Sequence, residues 1–231
     1  MNTVWINCCI AVLFLLLPAV GSGQGRRYAE MYAGECREAL DFWELHKADF
    51  EVAAKKAGVS PRFLFAVVAP EVSQFGSLMN KAQTYTLKVL YAQNGKAYAD
   101  FSIGMFQMKP SFVEQLEVCV GKDKTLLAEF PDVRLPADSR DTRVERIKRL
   151  DSLEWQMTYL TLFCRVVERR FSNTSFATEE DKLRFYANAY NRGFHLSEER
   201  LRQEGKPYFP AFARQKFRYA DVALWFYRNV Q

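Results

Sequence analysis

The stretch Ser60–Gly76, SPRFLFAVVAPEVSQFG, decides how the rest of the chain is read. Ser60 followed by Pro61 is a helix start, a polar N-cap and then a proline at the first helical position, where its missing N–H costs nothing. From Phe63 to Ala69 every residue is apolar, so no face of this helix is left for water. Such a helix belongs at the centre of a molecule. Glu71 then falls on the face of Leu64 and Val67, where a charged carboxylate is expensive. Either it turns to solvent just past a kink at Pro70, or it is buried. Burial would raise its pKa, toward roughly 6, into the range a general acid needs.

Working outward, Tyr28–Ala57 carries Tyr32, Cys36, Ala39, Leu40 and Trp43 at helical spacing, with Gly58 as a stop, and reads as one long helix or two. Residues 80–98 fit a helix ended by Asn94-Gly95 better than a hairpin turning there. Pro110 opens a helix with Phe112, Val113, Leu116 and Val120 inward. Gly121–Asp141, with Pro131 and Pro136, reads as an irregular surface excursion. Thr142-x-x-Glu145 has the form of a capping box, and apolar residues then recur at three- and four-residue steps from Val144 to Phe171, predicting one long helix. Further helices are expected over Thr178–Asn191, stopped by Gly193, and over Phe212–Arg228. Without strand-helix alternation or repeats, the class is mainly α, in one globular unit or two closely packed lobes.

The first 25 residues contain no Asp, Glu, Lys or Arg, and Ile10–Leu17 is wholly apolar. This pattern predicts a secretory signal peptide over residues 1–21, with Ala19-Val20-Gly21 at the cleavage site. Asn7 and Pro18 bracket too few residues for the roughly 20 of a membrane span, so the mature protein is expected in the periplasm or outside the cell with no stable span. Cys8 and Cys9 lie too early for a lipoprotein signal, and Asn7 is not the small residue that precedes a lipidated cysteine. The mature chain keeps the formal charge of +5. A mildly basic exported chain suits an anionic polymer or surface rather than nucleic acid. Cys36, Cys119 and Cys164 allow at most one internal bridge. Two histidines, His46 and His195, and no Cys-x-x-Cys spell no metal site, and no cofactor is expected.

Two further segments stand out. Ser102-Ile103-Gly104-Met105-Phe106-Gln107-Met108-Lys109-Pro110 places a lone amide, Gln107, inside an apolar run, and Ala189-Tyr190-Asn191 with Gly193 ends a helix on polar residues. A satisfied core amide and core tyrosines would explain each alone. Taken in order with Pro70-Glu71-Val72-Ser73, however, they resemble the motifs of the lysozyme-like lytic transglycosylases, which cleave bacterial peptidoglycan strands. The resemblance covers Pro61–Phe194 and departs from the family where Val72 stands in place of a serine. Spacings between the motifs exceed the compact family pattern, and insertions near residues 78–99 and 121–141 would account for that.

The resemblance implies a lysozyme-like helical domain over residues 61–231, preceded by N-terminal helices over 22–60, with a central buried helix carrying a catalytic Glu71. Ser102, Gly104, Met105, Gln107, Tyr190 and Asn191 would bind the glycan, Gly104 by letting backbone approach a sugar and Tyr190 by holding Glu71 through its hydroxyl. The implied reaction cleaves the MurNAc-GlcNAc bond and leaves 1,6-anhydromuramoyl ends. The alternatives are a goose-type muramidase, with Asp100 activating water, and an inert peptidoglycan-binding envelope protein.

Overall fold

The computed structural model describes residues 23–76 and 81–230. It is mainly helical, with eleven α-helices among the described residues: α1 (Gly23–Met31), α2 (Ala33–Ala57), α3 (Pro61–Gln74), α4 (Lys81–Asn94), α5 (Pro110–Lys122), α6 (Lys124–Glu129), α7 (Arg140–Asp151), α8 (Leu153–Arg170), α9 (Glu179–Arg192), α10 (Glu198–Arg202) and α11 (Tyr219–Asn229). Among the described residues extended backbone pairs at two isolated bridges, Ile103 with Met108 and Phe209 with Phe217. The expected signal peptide lies outside the described residues. No helix of the described part is long and apolar enough to cross a membrane.

The helix α3 is the axis of the molecule. The Ser60 hydroxyl accepts from the Phe63 N–H at 3.3 Å and caps its start. Phe63 to Ala69 are each fully buried, an environment worth about 1.5–3 kcal/mol for each large apolar side chain. Helices α2, α9 and α11 pack around it. An aromatic cluster of Trp43, Phe50, Phe65 and Phe106 fills one flank, with ring centroids 5.2–6.1 Å apart. α1 lies along α11. Gly25 makes that approach possible, because a Cβ there would run into the Asp221 carbonyl and the Trp225 side chain.

Of the two readings of the N-terminal pattern, the structure has the second, two helices divided at Tyr32. Several other local expectations need correction. The long helix beginning at Thr142 is also two, α7 and α8, separated at Ser152, whose hydroxyl caps α8 by accepting from the Trp155 N–H. The cap of α7 is Ser139, which accepts from the Thr142 N–H at 3.1 Å, so Thr142 is an early helical residue rather than the cap. Residues 121–141 are not irregular throughout: they contain α6 and a short 3₁₀ turn over Pro131–Val133. The last helix starts at Tyr219, not Phe212. The preceding residues form a strap, held by the bridge of Phe209 to Phe217 and by the Lys216 ammonium donating to the carbonyls of Pro210 and Ala211. Cys36, Cys119 and Cys164 are all free thiols, two of them buried.

Candidate active site

Between Phe63 and Gln74 every residue of α3 is buried except Glu71, which is half-buried. It reaches the wall of a cleft of about 650 Å³, shared with Ser102, Gln107, Tyr190, Asn191 and the strap residues Tyr208–Phe212. The helix runs on through Pro70, so Glu71 is held on it one turn before its end.

Burial pushes the Glu71 carboxyl up from its ordinary 4.5 to about 8, against a smaller downward pull from the Lys109 ammonium. Three tyrosines, Tyr190, Tyr208 and Tyr219, feel the Glu71 charge and are themselves held above their usual range, chiefly by burial. Their hydroxyl protons all point elsewhere. Tyr190 donates to the Phe106 carbonyl at 2.7 Å, Tyr219 to the Val67 carbonyl at 3.0 Å and Tyr208 to the Asn191 carbonyl at 3.5 Å. A carboxylate is stabilised by donors aimed at it. Here these phenolic donors are engaged with backbone, so desolvation outweighs the pull of the Lys109 ammonium and keeps the neutral acid to unusually high pH. The expected hold of Tyr190 on Glu71 is therefore replaced by a hold on the loop beside it.

That loop is residues 102–108. Ile103 and Met108 exchange backbone hydrogen bonds at 2.9 and 3.1 Å, and the Gln107 N–H and its side-chain amide both donate to the Gly104 carbonyl, at 3.1 and 2.8 Å. Gln107 has φ of 50°, in the left-handed region that a side-chain-bearing residue rarely adopts. The turn thus presents Gln107 at the cleft while Ile103, Phe106 and Met108 go into the core.

Gly104 and Met105 are not cleft residues. Gly104, with φ of 72°, faces inward, where a Cβ would overlap the Gln156 amide. Met105 is partly buried against the core. Gln156 is a buried amide on α8, accepting from the Phe106 N–H at 2.7 Å and donating to the Leu150 carbonyl at 2.7 Å. It is the loop's anchor, and a polar residue amid Leu153–Val167 was its signal in the sequence. Asp100 lines the cleft but is already used: its two oxygens accept from the Ser111 N–H and hydroxyl at 3.0 and 2.8 Å, capping α5.

A larger groove of about 1270 Å³ lies on the other side of α5. Its carboxylates each pair with a cation, Glu114 with Lys96, Glu117 with Arg146, Asp123 with Arg169, Asp138 with Arg143 and Glu168 with Arg165, whereas Glu71 in the smaller cleft is raised by burial. No family model, curated protein or solved structure matches the chain. Among the described residues no cluster of His, Cys, Asp and Glu could hold a metal ion.

Proposed function

We propose that the protein is an exported peptidoglycan lytic transglycosylase on a lysozyme-like helical domain, with Glu71 as its acid and base. The observation that carries this reading is a single carboxyl, neutral to about pH 8, at the wall of a cleft whose other carboxylate, Asp100, is committed to a helix cap. Protonated Glu71 gives its proton to the glycosidic oxygen as the C1–O bond breaks and positive charge develops at the sugar. The substrate's N-acetyl group shields that charge, which removes the need for a second carboxylate. Glu71, now a carboxylate, takes the proton of the C6 hydroxyl, and that oxygen closes on C1. Atoms balance without water, and Glu71 is returned as the acid. Ser102, Gln107 and Asn191 supply neutral polar contacts along the same cleft.

A digest of purified peptidoglycan tests the reading. The expected fragments end in 1,6-anhydromuramic acid, lighter by one water than hydrolysis products and inert to borohydride. Glu71→Gln should reduce release by at least about 100-fold. Reducible ends would mean a muramidase, and no release by the native chain would mean an inert binding protein.

A further inference from the structure

The larger groove and the Glu71 cleft share a rim. Gln115 on α5, with Phe194 and His195 just past α9, lines both hollows. His195 is exposed and Gln115 half-buried, so a ligand that crosses this rim passes from one hollow into the other. Each carboxylate on the groove wall already has a cation of its own. Three of the groove's cations have no such partner: Lys122, Arg134 and Arg170 pair with no carboxylate among the described residues. The groove therefore keeps a surplus of positive charge. A guanidinium left without a carboxylate is a ready bidentate donor to one brought by a ligand.

Contacts place these cations along the groove. Arg170, the last residue of α8, donates to the His195 carbonyl at 3.0 Å, which sets its guanidinium at the shared rim. Lys122 ends α5. Burial raises the Cys119 thiol and both Arg170 and Lys122 pull it back, so the two cations bear on the same stretch of wall. Arg134 follows the 3₁₀ turn, whose Asp132 and Val133 carbonyls accept from Arg149 at 3.0 and 3.2 Å. Val118, Leu135 and Pro136 add apolar surface to the same groove, Val118 being more than half exposed. A dense polyanion would meet the wall carboxylates at every step. A ligand with a few spaced carboxylates and methyl groups between them meets cations and apolar surface instead.

We propose that this groove binds the peptide stem of the strand whose glycan lies in the cleft, with Arg170 at the rim and Lys122 and Arg134 taking stem carboxylates. This rests on the reading of the cleft as a peptidoglycan site. The stem leaves the muramoyl residue through an amide on its lactyl group. It carries carboxylates on its glutamyl, diaminopimelyl and terminal alanyl residues, with alanine methyl groups among them. The cleft of about 650 Å³ then holds sugar, and the groove of about 1270 Å³ gives the stem room of its own. The substrate is the peptide-bearing strand rather than bare glycan.

Isothermal titration of the native chain tests this with three probes: the tetrapeptide L-Ala-D-Glu-diaminopimelyl-D-Ala, the disaccharide GlcNAc-MurNAc, and that disaccharide carrying the tetrapeptide. None contains the MurNAc-GlcNAc bond that Glu71 would break. The peptide-bearing disaccharide is expected to bind at least about 10-fold tighter than the bare one. With Lys122→Gln and Arg134→Gln combined, that preference should vanish. Both residues are exposed, so the double variant keeps the fold. Arg27→Gln with Arg37→Gln removes the same charge from exposed positions on α1 and α2, outside both hollows, and should keep the preference. Equal affinity of the native chain for the two disaccharides, or an equal loss in the Arg27 and Arg37 control, overturns the proposal. Alkylation of Cys119 by iodoacetamide, mapped by mass spectrometry, should slow several-fold under saturating peptide-bearing disaccharide. An unchanged rate puts the stem elsewhere and also overturns it. The two readings fail separately. Groove-dependent binding of the tetrapeptide by a chain that cleaves no glycan leaves the groove standing and removes the enzyme, and cleavage of glycan with no gain in affinity from the stem does the reverse.

Discussion

The hydroxyl of Tyr190 donates to the carbonyl of Phe106 at 2.7 Å, across 84 residues of chain. This bond fastens the end of α9 to the loop that presents Gln107, so two of the three segments that stood out in the sequence are one structural unit. Tyr190→Phe strands the buried Phe106 carbonyl, which costs about 1–3 kcal/mol. We expect the melting temperature to fall while the high-pH limb of the activity profile stays within half a pH unit or so of the native one, since the lost proton never reached Glu71. A limb shifted upward by a unit or more would show that Tyr190 donates to the carboxylate after all.

Glu71 makes the fold weaker as pH rises. In the unfolded chain it titrates near its ordinary 4.5, and in the folded chain near 8. Between those values the unfolded chain has released a proton that the folded chain retains. The contribution of this group is therefore fully present below about 4.5 and is lost progressively as pH rises through the folded value. The total is of the order of 4 kcal/mol. Glu71→Gln stays neutral and should escape this loss. Urea unfolding at pH 5 and pH 8 is expected to show near-equal stability at the lower pH and a variant several kcal/mol more stable at the higher one, the mark of a site kept at a cost to the fold.

Asp100 divides the two enzyme readings. Its carboxylate caps α5 through Ser111, so Asp100→Ala should cost about 0.5–2 kcal/mol of stability, as loss of a helix cap does. Activity on peptidoglycan should fall only by a few-fold. A loss as complete as that of Glu71→Gln, with stability unchanged, would instead assign Asp100 to the chemistry.

Signals that act over one turn of chain were legible. Ser60-Pro61 starts α3, Gly58 ends α2 with φ of 71° and Thr178 caps α9, as their residue types require. The break at Ser152 was not, because the apolar period runs through it unaltered and only the cap geometry shows the division. Nor was the strap. Its aromatic residues resemble a helix face, but its shape comes from Lys216 and the Phe209–Phe217 bridge, contacts that no local pattern encodes. In the site, Glu71 and Gln107 could be found because each interrupts an apolar run. Tyr208 and Tyr219 could not, since a tyrosine among aromatic residues reads as core until its hydroxyl is seen. Gln156 carries the same signal as Gln107 only faintly, being one polar residue in a long amphipathic stretch.

Gly104 gives the sharpest test of what the motif loop is for. If the glycine served close approach of a sugar, a methyl group there would spare the fold and weaken substrate binding. The structure turns that side of the loop inward instead. A Cβ at residue 104 would overlap the Gln156 amide and come within 2.6 Å of the Leu150 carbonyl. The φ of 72° adds strain for any residue but glycine. Gln156 cannot yield without leaving the Phe106 N–H and the Leu150 carbonyl unpaired in the core. Gly104→Ala is therefore expected to lower unfolding stability by about 2–4 kcal/mol. Activity should be lost in parallel with the folded fraction and recover on cooling. A variant of native stability whose KM alone rises would return Gly104 to the cleft.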